Sequence, residues 1–312
     1  MPEQKKYTTL YFAKGALSGG ICCSITHGAL CPVDVIKTRI QLHPGIYDGL
    51  YDGFKKIIKT NGIKDLATGL GPTAFGYFMQ GCFKFGGIEF FKVKMAQSLG
   101  VDKAWEYRVP IYLSASACAE FIADIFLCPM ETARIRQVSN PEYASGVANA
   151  FIKILREEGL IRGFYSGFYP LLLKQIPYTM AKFTVQGLAA EQIVLAIGTK
   201  PSDMTEGGKM ALALSSGVLA GVAAAIISHP ADTLLSLINK DKGAGGEGSI
   251  NTRLVRIARD IGFKKLCITG LGPRCVMFGA LTAAQFAIFD TVMSLTGAEK
   301  FNFVEPQTLK KV

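Results

Sequence analysis

Apolar and polar stretches alternate along this chain in a regular order. Apolar segments cover residues 9–41, 73–97, 109–138, 171–197, 209–238 and 274–297. Each exceeds the roughly 20 residues that a helix needs to cross a hydrocarbon core about 30 Å thick. A longer polar stretch separates the two members of each successive pair. Each of these stretches holds a short amphipathic pattern, near 51–60, 145–157 and 250–261. Phe54, Ile57 and Ile58 recur at i, i+3 and i+4, the spacing of a helix lying in a membrane interface. The pattern predicts an all-α membrane protein with six transmembrane helices and three short amphipathic helices.

The alternation is also a repeat. Pro32-Val33-Asp34-Val35-Ile36-Lys37-Thr38-Arg39 returns as Pro129-Met130-Glu131-Thr132-Ala133-Arg134-Ile135-Arg136. It returns again, weakened, as Pro230-Ala231-Asp232-Thr233-Leu234-Leu235-Ser236-Leu237. A second landmark runs Gly62, Gly69, Pro72; then Gly159, Gly167, Pro170; then Gly262, Gly270, Pro273. Both landmarks recur at about a hundred residues, so the repeats are read as 9–97, 109–197 and 209–297 within one transmembrane unit. Each recurring proline removes a helix donor and should kink its helix. Gly69, Gly167 and Gly270 are expected in turns at positive φ. Gly19–Cys23, Ser116–Glu120 and Gly217–Gly221 fill one small-xxx-small slot in the three proline-bearing helices, with Glu120 the exception.

Composition sharpens this picture. Hydrophobic residues make up 49% of the 312 and charged residues 19%, yet the net charge is +10. Such hydrophobicity excludes intrinsic disorder. The basic residues form no polar surface run, which argues against nucleic acid as a partner. The long polar stretches carry the larger basic excess, which turns them toward the matrix or cytoplasm and places both termini on the opposite side. Charges remain inside the apolar segments, where a lipid-facing position would be costly, so they must pair or line a path.

The N-terminus shows neither a secretory signal nor an Arg-rich transit peptide. No CxxC pair occurs among the eight cysteines, so no disulfide scaffold, metal site or cofactor is signalled. A catalytic triad, a P-loop and a dinucleotide fingerprint are absent, which speaks against an enzyme.

Superposing the repeats aligns Lys84-Phe85 with Lys182-Phe183 and Gln285-Phe286. Two cations and an amide thus occupy equivalent mid-span positions, a set suited to a small tetrahedral anion. Gln80 lies one turn before Lys84, and Arg274 shares the face of Gln285. On the proline-bearing helices, His27 and Asp34 share one face. Glu120, Asp124, Glu131 and Arg134 form another stripe. Histidine and acid chains inside a membrane often carry protons.

At the three proline motifs the sequence resembles the mitochondrial carrier family, whose signature is Pro-x-acid-x-x-base-x-base in three copies. The resemblance covers nearly the whole chain. The segments 26–42, 76–92, 119–136, 164–183 and 229–240 look most like the phosphate-carrying branch. This resemblance implies six tilted helices about a pseudo-threefold axis, a monomer, the mitochondrial inner membrane, cardiolipin as a lipid partner, and alternating access. It implies import of inorganic phosphate with a proton, or exchange against hydroxide. Lys84, Lys182, Gln285, Gln80 and Arg274 would bind the anion, and His27, Glu120 and Asp124 would move the proton.

The resemblance also implies two gates. On the matrix side it pairs Lys37 with Glu131 and Arg134 with Asp232, and leaves Asp34 alone because Leu235 replaces the third base. On the cytoplasmic side, only Glu89, Lys92 and Asp290 of the family's charges remain, so one ion pair at most is expected there. An alternative is a carrier for another small solute, notably copper, because Cys22, Cys23, His27 and Cys31 share one helix.

Overall fold

The computed structural model describes residues 7–42, 45–140, 142–199, 203–240, 250–268 and 270–303. In chain order the helices are α1 (Thr9–Leu42), α2 (Leu50–Asn61), α3 (Leu70–Leu99), α4 (Val101–Glu106), α5 (Arg108–Ser139) and α6 (Val147–Glu157). They continue as α7 (Leu160–Tyr165), α8 (Phe168–Ile197), α9 (Glu206–Lys240), α10 (Ile250–Ile261), α11 (Phe263–Ile268) and α12 (Leu271–Leu295). A 3₁₀ turn covers Ile63–Ala67. No strand occurs among the described residues.

The long helices α1, α3, α5, α8, α9 and α12 pack each on the next, and α12 packs back on α1, which closes a ring. By length and composition, spans within Thr9–Ile40, Arg108–Ser139, Glu206–Leu234 and Leu266–Leu295 can cross a membrane. Gln80 and Lys84 lower the hydropathy of α3, as Lys174, Gln175 and Lys182 lower that of α8. Gln80, Lys84 and Lys182 are buried within the ring, as are Glu120 and Asp124 of α5. The ring's outside is apolar: Phe121, Leu219, Ile226 and Ile227 are all exposed. Its helix contacts use small residues instead, with Ala115, Ala119, Ala123, Ala220 and Ala224 buried. This inside-out arrangement suits lipid as the outer solvent.

Small residues set how close the helices come. A Cβ at Gly19 of α1 would overlap the carbonyl of Gly81 on α3, and one at Gly81 would overlap the carbonyl of Gly19. At Gly217 of α9 it would lie 2.6 Å from the Ala283 Cα of α12. The small-xxx-small slot is therefore a contact between the two long helices of one repeat. In α5 the same slot holds Glu120, fully buried.

Pro32, Pro129 and Pro230 all lie inside continuous helices. Pro129 cannot donate to the carbonyl of Ile125, and the Tyr165 hydroxyl of α7 supplies that bond at 3.0 Å. A side chain from the loop thus repairs the ladder of a membrane helix. α7, α11 and the 3₁₀ turn follow the amphipathic helices and were not visible in the hydrophobic pattern. Ile57 is buried, while Ile58 is 45% exposed, so the apolar stripe of α2 is narrower than its sequence spacing suggests. Gly69 and Gly270 adopt φ of 80° and 81°, as expected of turn glycines. Gly167 does not: its φ is −93°, because Ser166 keeps helical geometry and α7 runs almost directly into α8.

Two glycine substitutions should act in opposite directions on thermal unfolding in detergent. Gly81→Ala forces two backbones apart and should destabilise by about 1–3 kcal/mol. Gly272→Ala meets nothing within 4 Å and should be neutral or slightly stabilising. Equal melting temperatures for the two variants would contradict the close-approach account.

Candidate functional site

Mid-span side chains of the ring meet in two linked groups. In the first, Lys84 of α3 bridges to Glu120 of α5, Nζ to Oε2 at 3.0 Å. Gln80, one turn earlier, donates to Glu120 Oε1 at 3.0 Å and to Asp124 Oδ1 at 3.3 Å. From α8, Thr179 donates to Glu120 Oε2 at 2.9 Å. Asp124 Oδ2 is buried and makes no hydrogen bond. In the second group, Lys182 of α8 donates to Gln285 Oε1 of α12. The Gln285 amide donates in turn to Thr26 Oγ1 of α1 at 3.2 Å. All of these residues are buried.

Of the equivalent mid-span residues, Lys182 of α8 and Gln285 of α12 meet directly, whereas Lys84 of α3 is held by Glu120, an acid that the resemblance assigned to proton movement. Thr179 and Thr26 were missed from the sequence. Thr179 lies three residues before Lys182 and so shares its helix face, a signal that could have found it.

The recurring phenylalanines sit one residue further along each helix. Phe85, Phe183 and Phe286 form a triangle of edge-to-face rings, with centroids 4.9, 5.3 and 5.8 Å apart. Lys182 Nζ lies 5.3, 5.4 and 5.3 Å from the centroids of Phe85, Phe183 and Phe286. The rings help to hold a desolvated ammonium.

His27 is not bonded into the acid group. Its ring stacks on Tyr77 of α3, centroids 3.6 Å apart. Arg274 also lies elsewhere, toward the end of the ring that carries the long loops. There it pairs with Asp232, donates to Ser228 Oγ at 2.9 Å and lies over the ring of Phe278.

At this loop end the pairing differs from the one that the resemblance implied. Arg134 bridges to Asp34 of α1 at 3.1 Å and to Glu131 of its own helix at 3.0 Å. Asp232 takes Lys174 of α8 at 3.3 Å, besides Arg274. Lys37 faces Asp232. The reason is adjacency: α5 packs against α1 here, through Cys31, Val35 and Val138, so Arg134 meets α1 and not α9. Asp34 thus has a partner on a neighbouring proline-bearing helix, while Glu131 bridges within its own helix and Asp232 bridges to α8 and α12. The side chain of Leu235 lies outside the described residues.

At the opposite end, near both termini, Lys92 pairs with Glu89 of its own helix at 2.5 Å. Tyr11 donates to Glu89 Oε2 at 2.7 Å. Asp290 pairs with Lys300 at 2.7 Å. Among the three retained gate charges there is thus one ion pair, Glu89 with Lys92, within the expected maximum. The partner of Asp290 comes from beyond α12, where the repeats offer no guide.

The proposed copper ligands do not converge. Cys22 and Cys23 touch at 3.9 Å, Cys31 points to the carbonyl of Thr68, and His27 is stacked on Tyr77. Among the described residues no group of three or more His, Cys, Asp or Glu could hold a metal ion.

Known proteins are similar in sequence along nearly the whole chain. A protein 47% identical over 93% of this chain and 96% of its own length is mitochondrial substrate carrier family protein N of Dictyostelium discoideum. A probable mitochondrial phosphate carrier protein of Schizosaccharomyces pombe is 45% identical over 93% of each chain. The mitochondrial phosphate carrier protein of Caenorhabditis elegans is 40% identical over 90% of this chain and 80% of its own. The mitochondrial carrier protein family model matches three times, over residues 8–99, 106–193 and 207–300. With three such matches along a closed ring of six long helices, the chain belongs to the mitochondrial carrier protein family.

Proposed function

We propose that this protein carries inorganic phosphate across the mitochondrial inner membrane together with a proton. The names of the similar yeast and nematode proteins support the substrate. One observation carries the coupling: in the buried site a lysine and an acid are in direct contact, Lys84 with Glu120. In their ordinary ionic forms, Lys84 and Lys182 cancel Glu120 and Asp124. A site this far from water tolerates little net charge. A singly charged phosphate arriving with one proton leaves the balance unchanged.

The chemistry follows from the contacts. Phosphate competes with Glu120 for Lys84 and with Gln285 for Lys182. Glu120, displaced from its cation, becomes a better base and takes the proton. Asp124, already joined to Glu120 through Gln80, shares it. Thr179 keeps the Glu120 carboxylate oriented meanwhile. His27, stacked between this site and the loop end, is the proton's further candidate carrier. Arg274 acts as a second anion contact nearer the loop end.

The bridges at the two ends serve as alternating gates around this site. The bridges Arg134–Asp34 and Lys174–Asp232–Arg274 hold the loop end, and the Glu89, Lys92 and Asp290 contacts hold the other. The basic excess of the long loops faces the matrix, so both termini lie toward the intermembrane space.

Reconstituted liposomes test both halves of this reading. Lys84→Ala and Lys182→Ala should each lower phosphate/phosphate exchange by about 10- to 100-fold, the effect of losing a charged hydrogen bond of roughly 1.5–3 kcal/mol. Wild-type exchange rates in both variants would refute the site. Glu120→Gln should keep phosphate/phosphate exchange but lose the uptake driven by an imposed pH gradient. If that variant still responds fully to the gradient, Glu120 does not carry the proton.

A further inference from the structure

The chain beyond α12 does not leave the bundle. Residues Ala298–Phe303 cross the end where α1 begins and α12 finishes, and they touch five of the six long helices or their flanks. Phe301 donates its backbone N–H to Glu89 Oε2 at 2.8 Å and accepts from Lys92 Nζ at 3.2 Å through its carbonyl. Its ring packs on Tyr7, just before α1, centroids 5.7 Å apart. Lys300 holds Asp290 of α12, and Glu299 lies 3.8 Å from Lys209 of α9. Phe303 is 7% exposed, buried with Ala96 of α3, Ala104 of α4 and Ile111 and Tyr112 of α5.

These contacts fall on the charges that the repeats leave unmatched. At the positions equivalent to Glu89 and Lys92, α8 offers Gln186 and Ala189. On α12 the acid Asp290 survives, but Met293 stands where its base would be. At these equivalent positions α8 has no charge to offer its neighbours, and Lys92 and Asp290 take other partners; the helix-to-helix bridge here, Arg108 of α5 to Glu191 of α8 at 3.1 Å, uses neither. The tail supplies what is missing: an amide for Glu89, a carbonyl for Lys92 and an ammonium for Asp290.

We propose that Lys300, Phe301 and Phe303 are gate residues of the transport cycle, forming a strap that holds the terminal end shut and must lift for substrate to pass. This rests on the alternating-access reading but not on the identity of the substrate. Lifting it breaks a partly buried ion pair and charged hydrogen bonds to Glu89 and Lys92, and bares two aromatic rings. A gate assembled this way is anchored by the segment after α12 instead of by charges on facing helices.

The test reads opening of that end directly. The full chain is reconstituted, and a small sulfonated methanethiosulfonate is added from the side of the termini. Mass spectrometry then follows labelling of the peptide bearing Cys22 and Cys23, which are buried beside the site. Lys300→Glu and the double variant Phe301→Ala/Phe303→Ala should label roughly tenfold faster than wild type, the change expected from losing one charged hydrogen bond in a two-state equilibrium. Lys300→Arg should restore slow labelling. Asp290→Lys should label fast alone and slowly again when combined with Lys300→Asp, which guards against mere misfolding. Wild-type labelling rates in Lys300→Glu and in the aromatic double variant would overturn the proposal. So would fast labelling that the charge exchange fails to reverse. Either result leaves the phosphate reading standing, since no substrate takes part in the measurement.

Discussion

Everything at the centre of this molecule depends on the need to balance charge away from water. A lysine in a low-dielectric interior is stable only with a partner that matches it. Lys84 finds Glu120, and Lys182 finds the oxygen of Gln285 and the faces of three aromatic rings. Gln80 and Thr179 then complete the hydrogen bonding of the acid. The bridge from α3 to α5 is thus a packing contact and, on the proposed function, the place where an incoming anion competes. On that reading, structure and transport draw on the same interaction.

That balance can be met only if the helices hold their distances. The Gly19–Gly81 contact brings α1 and α3 together at backbone range, and Gly217 and Gly221 do the same for α9 against α12. The corresponding position of α5 carries Glu120 instead of a small residue, and there the contact is polar. One repeat has exchanged close approach for chemistry. The Tyr165 bond to Ile125 shows a related economy, since a loop side chain mends the gap left by Pro129 in a helix otherwise built for the membrane.

Periodic features were legible in the sequence, and aperiodic ones were not. The prolines and glycines recur, so six long helices and the level of Lys84, Lys182 and Gln285 could be read from spacing alone. Spacing says which residues share a level; it does not say which neighbour each side chain turns toward. Arg134 therefore meets Asp34 across the α1–α5 contact, where the resemblance had implied Asp232. Thr26 and Thr179 carry no charge and leave no mark on hydropathy. Lys300 and Phe301 lie outside the repeats, so no symmetry argument reaches them. Gly167 shows the same limit at a single residue, its landmark spacing kept while its backbone departs.

The triangle of Phe85, Phe183 and Phe286 has a consequence for the organelle as a whole. A membrane that stores energy as a proton gradient is discharged by any continuous thread of water through it. Between turnovers an idle carrier must behave as an insulator, although its centre is lined with groups that exchange protons readily. Three rings packed edge to face, one from each repeat, set apolar carbon across the level of the candidate site, with the Lys182 ammonium over their faces. On the proposed function, the residues that cradle a lysine would then also narrow the path for water through an empty carrier.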